Sequence, residues 1–218
     1  MVRYAQAEQD KEARRDDILG AALALFLEDT RRLPAVAAIA AQAGLAKGTV
    51  YLYFKTKEQI FAALLSREWD ALLAKIEENF AASTGPKEAV VGRFIDGFVA
   101  FLASHSYFLR LDSLGYGHLE ANLPPDEFWR FKQSFSLALN RAGQAVDRAL
   151  LIPPGDGLAL LLRSYALTRG LYQTLDFPDR VRGDNRFHDH PLARIDFDVE
   201  LQTALLQYWR GALGDLSE

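Results

Sequence analysis

The chain has 218 residues, 50% of them apolar, and carries a formal net charge of -4. This length exceeds that of one average domain and predicts one small and one larger unit. The absence of cysteine excludes disulfides, thiolate metal sites and cysteine nucleophiles. No apolar run approaches the ~20 residues of a membrane span, and the charged N-terminal stretch lacks the apolar core of a secretion signal. We therefore expect a soluble, cytoplasmic protein with no membrane partner.

Residues 35–57 are predicted to form two short helices joined by a tight turn. Small and apolar residues such as Ile39 and Ala40 recur at helical spacing and give the first helix one apolar face. Gly44 stands where a helix end usually turns left-handed, a conformation that glycine adopts without steric cost. Val50 is then expected to pack the second helix into the same small core. A helix pair of this kind places its second helix in the major groove of DNA.

The outward side of the second helix and the residues that follow it are polar, aromatic and basic. Lysine and threonine side chains hydrogen-bond base edges or phosphates, and tyrosine hydroxyls hydrogen-bond phosphate oxygens. Because the net charge of the chain is negative, any positive field must be local. For such a cluster considered alone, a solvated helix face remains the alternative explanation. The predicted DNA-contacting residues are Ala46, Lys47, Gly48, Thr49, Tyr51, Tyr53, Lys55 and Lys57.

This segment resembles the DNA-binding domain of the TetR family of bacterial transcriptional repressors. An upstream apolar stripe fits the first family helix and consists of Ile18, Ala22, Leu25 and Phe26. The family pattern, close to I-A-x-x-A-G-V-S-x-G-T-x-Y-x-Y-F-x-x-K, is matched by Ile39-Ala40, Ala43-Gly44-Leu45-Ala46, Gly48-Thr49, Tyr51, Tyr53-Phe54 and Lys57. The resemblance implies a helix-turn-helix DNA-binding domain over residues 12–72, with its motif at 35–54, followed by a second domain over residues 73–218.

Two positions depart from the family pattern. Ala35 stands where the family commonly has a Ser or Thr that caps the second helix, and Ala46 replaces a frequent Ser before the next helix. The loss of such a cap lowers helix stability by roughly 1 kcal/mol. Pro34 is expected to begin the helix and to offset part of this loss by presetting φ. We therefore expect the fold to be retained, without hydroxyl contacts to phosphate at these two positions.

The rest of the chain keeps a helical pattern and shows no alternating strand pattern. Proline and glycine pairs separate the segments. The stretch from Phe177 to Asp196 is predicted to be a solvated loop, and its His188-Asp189-His190 run lacks further ligands at metal-binding spacing. Neither a metal nor another cofactor is expected. The predicted helices span 57–80, a segment around 90–102, 107–119, 125–151, 156–175 and 197–213.

The last two predicted helices each carry one broad apolar face. In the resembled family the equivalent helices pack against the same pair of a second subunit as a four-helix bundle. The resemblance therefore implies a homodimer, which agrees with the two half-sites that helix-turn-helix repressors bind. Burial of both faces inside one subunit is the alternative. The predicted interface residues are Leu158, Leu162, Tyr165, Tyr172, Leu201, Leu205 and Tyr208.

Aromatic residues, among them Tyr116, are concentrated in the middle of the chain. Helices lined in this way can enclose an apolar cavity with a few polar groups, and the resemblance implies an effector pocket here. An aromatic stripe at helical spacing is otherwise plain core. The expected effector is a small hydrophobic or aromatic molecule. The predicted pocket residues are Phe98, Phe101, His105, Phe108, Leu111, His118, Trp129, Phe135 and Arg163.

Together these observations predict an all-α, ligand-responsive transcriptional regulator rather than an enzyme. The sequence contains no G-x-S-x-G elbow, H-E-x-x-H pair or phosphate-binding loop. The predicted partners are a pseudo-palindromic double-stranded DNA operator, a second copy of the chain and a small-molecule effector. A helical module that binds only protein partners is the alternative, but it does not explain the outward lysines and tyrosines. Repression is the commoner outcome in the resembled family, and activation stays open.

Overall fold

The computed structural model describes residues 2–214, except for the side chains of residues 2–5, 7 and 116. This part of the chain is helical and contains no β-strand, which confirms the all-α prediction. Within it no helix is both long and apolar enough to cross a membrane. The helices are α1 (Val2–Glu28), α2 (Val36–Gln42), α3 (Lys47–Tyr53), α4 (Lys57–Ala82), α5 (Lys87–Ser104), α6 (Phe108–Leu114), α7 (Pro125–Leu150), α8 (Asp156–Leu175), α9 (Asp179–Arg182), α10 (Asn185–His188) and α11 (Phe197–Leu213).

The chain divides into two compact units. The first unit consists of the residues up to Trp69 together with Arg110–Ser134. The second consists of Asp70–Leu109 and the residues from Phe135 onward. Helices α4 and α7 therefore contribute residues to both units. The side chain of Tyr116 and residues 215–218 of the predicted second domain lie outside the described residues.

The core of the first unit is formed by the inner faces of α1 to α4. Ile18 and Phe26 of α1 are fully buried, as are Ile39 of α2 and Val50 of α3. The ring of Phe26 packs against that of Phe61 in α4, with centroids 5.6 Å apart. Burial of side chains of this size contributes about 1.5–3 kcal/mol each. The short helices α2 and α3 are thus held mainly by their apolar residues.

The start of α2 differs from the sequence prediction. The helix begins at Val36, and Ala35 is its extended N-terminal cap residue. Pro34 therefore precedes the cap and does not begin the helix. Ala35 makes no side-chain capping hydrogen bond, as expected for alanine. The prediction that Pro34 presets the first helical φ was wrong, because the helix begins two residues later.

Two predicted segments have a finer structure than expected. The predicted helix 107–119 consists mainly of α6 and a π-helical turn (Gly115–Leu119), and a 3-10 turn (Glu120–Asn122) follows it. Glycine is a poor helix former, and two glycines lie in the π-helical turn. The predicted loop 177–196 contains α9, α10 and another 3-10 turn. It was wrongly predicted as a loop, because local caps such as Asp184, whose side chain accepts from the Arg186 amide, stabilise single helical turns.

The second unit has an aromatic core built around α11. Trp209 is fully buried, and its ring lies 5.0 Å from that of Phe94 in α5 and 6.2 Å from that of Phe80 in α4. The Trp209 indole N–H donates to the hydroxyl of Ser164 in α8 at 2.9 Å. Helix α11 consequently packs against α5 and α8 within the same chain.

Helices α7 and α8 approach each other closely at two glycines. A Cβ atom built on Gly143 of α7 would lie 2.7 Å from the backbone nitrogen of Leu158 in α8. A Cβ atom on Gly157 would lie 2.7 Å from the Cβ of Val146 and would contact the Gly143 carbonyl oxygen. Asp147 closes the junction, because its carboxylate accepts hydrogen bonds from the amides of Gly155 and Gly157 at 2.9 and 2.6 Å.

Candidate nucleic-acid interface and a neighbouring cavity

The turn between α2 and α3 is built around one left-handed glycine. Gly44 has a φ of 66°, as its place at the end of α2 predicted. The amide of the following residue, Leu45, donates to the carbonyl of Ala40 at 2.8 Å and closes the helix end. Helix α3 then starts without a side-chain cap at Ala46. Buried Val50 fixes it to the core.

A hydrogen-bonded cap fixes the step from α3 to α4. Phe54 ends α3 in an extended conformation and is buried. The hydroxyl of Thr56 accepts from the amide of Gln59 at 3.2 Å, and the Gln59 side chain accepts from the amide of Lys55. This arrangement is similar to a capping box. These hydrogen bonds fix the backbone at the start of α4, next to the predicted DNA contacts Lys55 and Lys57.

The residues predicted to contact DNA lie together on α3 and at the start of α4. Ala46, Lys47, Gly48 and Lys55 are exposed. Tyr51 is 37% exposed, and the Lys47 ammonium lies 5.8 Å from the centroid of its ring. The Lys55 ammonium donates to the Tyr51 carbonyl at 2.9 Å. Basic and aromatic groups are therefore available to a ligand on this side of α3, while half-buried positions are occupied by Thr49, Tyr53 and Lys57.

Leu52 is the more exposed of the two large hydrophobic residues on the surface of α3, the other being Tyr51, and was not among the predicted site residues. Its exposed fraction is 76%, although leucine usually packs inside. An apolar side chain on this surface has the chemistry to contact a thymine methyl group in the major groove. The sequence pattern gave little indication of a role for Leu52, because any residue type between Tyr51 and Tyr53 is compatible with the helical spacing.

A cavity of about 330 Å³ lies in the first unit, directly behind α3. Tyr53 and Phe54, at the end of α3, form part of its wall. The other walls come from α1, the first half of α4 and the beginning of α7. None of the residues predicted to line an effector pocket lines this cavity.

The predicted effector residues are distributed over both units. Leu111, His118 and Trp129 belong to the first unit, and the others belong to the second. Trp129 is 67% exposed, and His118 lies 3.6 Å from Glu58 at the start of α4. Arg163 is also exposed.

In the second unit, several predicted effector residues pack against one another. The rings of Phe101 and His105 stack with centroids 4.1 Å apart, and Phe108 meets Phe101 edge-on at 6.3 Å. Phe135 lies 6.4 Å from Tyr165. Phe98 borders a space of only about 10 Å³, which holds at most one water molecule. Of these residues Phe98 and Phe108 are buried, and Phe101, His105 and Phe135 are half-buried.

The predicted dimer residues fall into two groups. Leu162 is 47% exposed, and Leu158, Tyr165, Tyr172 and Tyr208 are half-buried. Leu201 and Leu205 are instead fully buried within the single chain, in the helix α11 that packs against α5 and α8. Their assignment to a surface that contacts a second subunit is corrected accordingly.

The histidines at the end of α10 have local partners. His188 and His190 are exposed, and the His190 Nδ1 atom accepts from the amide of Leu192 at 3.3 Å. Within the described part of the chain, no group of three or more His, Cys, Asp or Glu residues is arranged to hold a metal ion.

Two family models match consecutive parts of the chain. One is described as bacterial regulatory proteins of the tetR family and matches residues 18–64. The other, described as a tetracyclin repressor-like C-terminal domain, matches residues 66–215. The first match contains α2, α3 and the turn between them. The second contains α5 to α11.

Similarity to individual regulators agrees with the two family models. The chain is 31% identical over 94 residues to the HTH-type transcriptional repressor KstR2 of Mycolicibacterium smegmatis, covering 43% of this chain and 46% of that repressor. It is 37% identical over 71 residues to the fatty acid metabolism regulator protein of Bacillus subtilis, covering 33% and 37%. The matched segments thus span less than half of these relatives.

A solved structure extends the likeness in fold to nearly the whole chain. FadR of Bacillus subtilis, in complex with stearoyl-CoA, superimposes with a TM-score of 0.54 at 19% identity and covers 88% of this chain and 95% of its own. Together with the two family models, this likeness accounts for both the helix-turn-helix segment and the helices that follow it. The chain belongs to the TetR family of bacterial transcriptional regulators, which are DNA-binding proteins rather than enzymes.

Proposed function

We propose that this regulator binds a pseudo-palindromic DNA operator as a homodimer and is released by a small hydrophobic or aromatic effector. The observation that carries the proposal is the exposed basic and aromatic side of α3, which includes Lys47 and Tyr51. A two-fold symmetric protein with one such helix per subunit matches a two-fold symmetric site. Its half-sites would lie about 34–36 Å apart, or a multiple of this distance.

The two ends of the exposed surface have different roles in this proposal. The N-terminal residues of a recognition helix usually reach base edges, and Lys47 is the first residue of α3. Lys55 and Lys57 lie beyond the end of α3, where lysines contact phosphates and fix the register. The tyrosine hydroxyls of Tyr51 and Tyr53 add phosphate contacts. Sequence specificity would thus come from the start of α3 and position from the start of α4.

The outward residues of α8 and α11 support a homodimer. Leu162 of α8 is half exposed, and Val199 of α11 is 64% exposed. Half-buried Leu158 and Tyr165 lie on the same face of α8 as Leu162, at helical spacing. An interface between copies that covers this face would remove apolar side chains from water. Leu201 and Leu205 would support it from beneath.

Repression and release by an apolar effector are supported by the relatives. KstR2 is named a transcriptional repressor, and FadR of Bacillus subtilis was solved with stearoyl-CoA. Helix α4 contributes to both units, so we propose that effector binding moves α4 and changes the separation of the two recognition helices. A ligand achieves this only to the extent that it binds the two conformations unequally.

Binding of the purified full chain to the intergenic DNA beside its own gene tests the proposal. We expect salt-sensitive binding to one pseudo-palindromic site. Lys47→Ala should weaken it by about 1–3 kcal/mol through a lost base contact, and Tyr51→Ala should weaken it through a lost phosphate contact, both with unchanged helicity. Lys75→Ala, in the second unit, is the matched control and should bind like the parent chain. Equal weakening by all three variants, or no binding to any DNA at low salt, would refute the proposal.

A further inference from the structure

The cavity behind α3 has the size of a small-molecule site. Its volume of about 330 Å³ falls at the lower end of the range for such sites. At about 30 Å³ for each water-sized group, it holds roughly ten non-hydrogen atoms. Leu19, Ala62 and Phe131 contribute apolar surface, and Ser66 and Ser134 contribute hydroxyl groups. A ligand with a short apolar body therefore fits the space.

The charged groups in the wall are mostly arginines. Arg15, Arg67 and Arg130 line the cavity, together with the acidic residue Glu127. Arg130 lies 3.6 Å from Glu127, and Arg67 pairs with Asp16. Arginine presents a planar set of donors that suits carboxylates and phosphates. The charge and the donor geometry of the wall both favour an anion.

Arg15 packs against the aromatic residue that ends α3. Its guanidinium lies 4.3 Å from the centroid of the Phe54 ring. Burial lowers the pKa of Arg15, and the Arg67 cation lowers it further, against the opposite effect of Glu127 and other nearby carboxylates. The surroundings thus disfavour the charged form, although arginine stays protonated at neutral pH. An anion beside Arg15 would stabilise that charge.

We propose that this cavity binds an amphipathic anion, a carboxylate or phosphate group on a short apolar chain, held by Arg15, Arg67 and Arg130. The apolar chain would lie against Leu19 and Phe131. This site differs from the effector pocket predicted in the middle of the chain, with which it shares no residue.

The position of the cavity gives its ligand a route to DNA binding. Tyr53, a predicted DNA contact, and Phe54, which ends α3, both line it. Arg15 contacts Phe54 directly, so an anion that draws Arg15 into the cavity also changes the packing at the end of α3. Occupancy should therefore alter operator affinity. This consequence rests on the proposed function, whereas the binding of the anion does not.

Isothermal titration calorimetry of the full chain without DNA tests the site. The probes are sodium octanoate, octyl phosphate and the neutral 1-octanol. We expect saturable binding of at least one anion and much weaker binding of 1-octanol. Arg15→Gln and Arg130→Gln should each weaken anion binding about tenfold or more, equivalent to one lost charged contact. Arg130 is exposed, so its replacement keeps the test valid if Arg15→Gln fails to fold.

Arg14→Gln is the matched control, because Arg14 is an exposed neighbour of Arg15 in α1 and does not line the cavity. Its anion affinity should equal that of the parent chain. Loss of binding in Arg14→Gln equal to that in Arg15→Gln would overturn the proposal, as would equal affinity for 1-octanol or no saturable binding of either anion. Adding the bound anion to an operator complex then measures the effect on DNA. Failure to bind any DNA would count against the proposed function and leave the calorimetric result intact.

Discussion

Helices α2 and α7 end with the same hydrogen-bond pattern but use different residues in the left-handed position. After α2, the amide of Leu45 donates to the carbonyl of Ala40 at 2.8 Å, and the corresponding bond after α7 is 3.1 Å long. The left-handed residue is Gly44 in the first case, with a φ of 66°, and Leu151 in the second, with a φ of 50°. Both ends have the bond expected of a Schellman cap, but only glycine adopts this conformation without steric cost.

The difference shows how each helix pair is held. A left-handed conformation costs about 1–2 kcal/mol at a residue with a side chain, and Leu151 is 86% exposed, so packing offsets little of it. Asp147 offsets it through its hydrogen bonds to Gly155 and Gly157. The turn before α3 has no side-chain cap at either helix start. The α7–α8 junction is therefore stabilised by contacts between helices, whereas the α2–α3 turn depends on its glycine.

Gly157→Ala should disrupt the α7–α8 junction and cause the largest loss of stability. Its new Cβ would lie 2.7 Å from the Cβ of Val146, so α8 has to move away from α7. We expect a loss of about 3 kcal/mol in the free energy of unfolding, measured by urea denaturation followed by circular dichroism. Gly170→Ala, in the same helix with no heavy atom within 4 Å, is the control and should gain about 0.5–1 kcal/mol. A similar result for both variants would contradict the close-contact explanation.

Asp147→Ala should remove the hydrogen bonds of the same junction while leaving its packing in place. The buried amide of Gly157 would lose its acceptor, and hydrogen bonds to a charged group contribute about 1.5–3 kcal/mol. We expect a loss of about 2 kcal/mol, with faster amide hydrogen exchange at Gly155 and Gly157. Asp126→Ala, at the exposed start of α7, should change little. Unchanged exchange at the two glycines would show that Asp147 does not hold the turn.

The parts of the fold that depend on local signals were predictable from the sequence. Helices α8 and α11 have the predicted bounds, since Gly155 and Asp196 mark their starts. The left-handed Gly44 was predicted from its place in the turn. Leu151 could not be predicted, because leucine gives no signal for a left-handed residue and the contacts that hold it come from α8.

The site shows the same division between local and tertiary information. The exposed Lys47 and Tyr51 of α3 follow from spacing within a few residues. The cavity behind α3 depends on Arg15, Arg67 and Arg130, which are far apart in the sequence and meet only in the folded chain. Nothing in the local pattern around any of them indicates a shared wall.

Gly44→Ala should destabilise the α2–α3 turn, which depends on its left-handed glycine. A Cβ at Gly44 meets no heavy atom within 4 Å, so the expected loss of about 1 kcal/mol comes from the left-handed φ alone. The loss should be accompanied by faster hydrogen exchange in α3. Gly20→Ala in α1, whose added Cβ also meets no heavy atom within 4 Å, should show no such loss of stability. No loss in Gly44→Ala would mean that the turn adopts another conformation in solution.

Leu151→Gly should have the smallest effect on stability and, unlike the other variants at these two helix ends, should increase the free energy of unfolding. Glycine removes the left-handed cost of about 1–2 kcal/mol, but it also has more conformational freedom in the unfolded chain, which offsets about 0.5–1 kcal/mol. We therefore expect a net gain of about 0.5 kcal/mol in the free energy of unfolding. Leu151→Ala removes the exposed side chain but keeps the steric restriction on φ, and should give no gain. If both variants were stabilised equally, the cost at this position would come from the exposed leucine side chain rather than from its backbone.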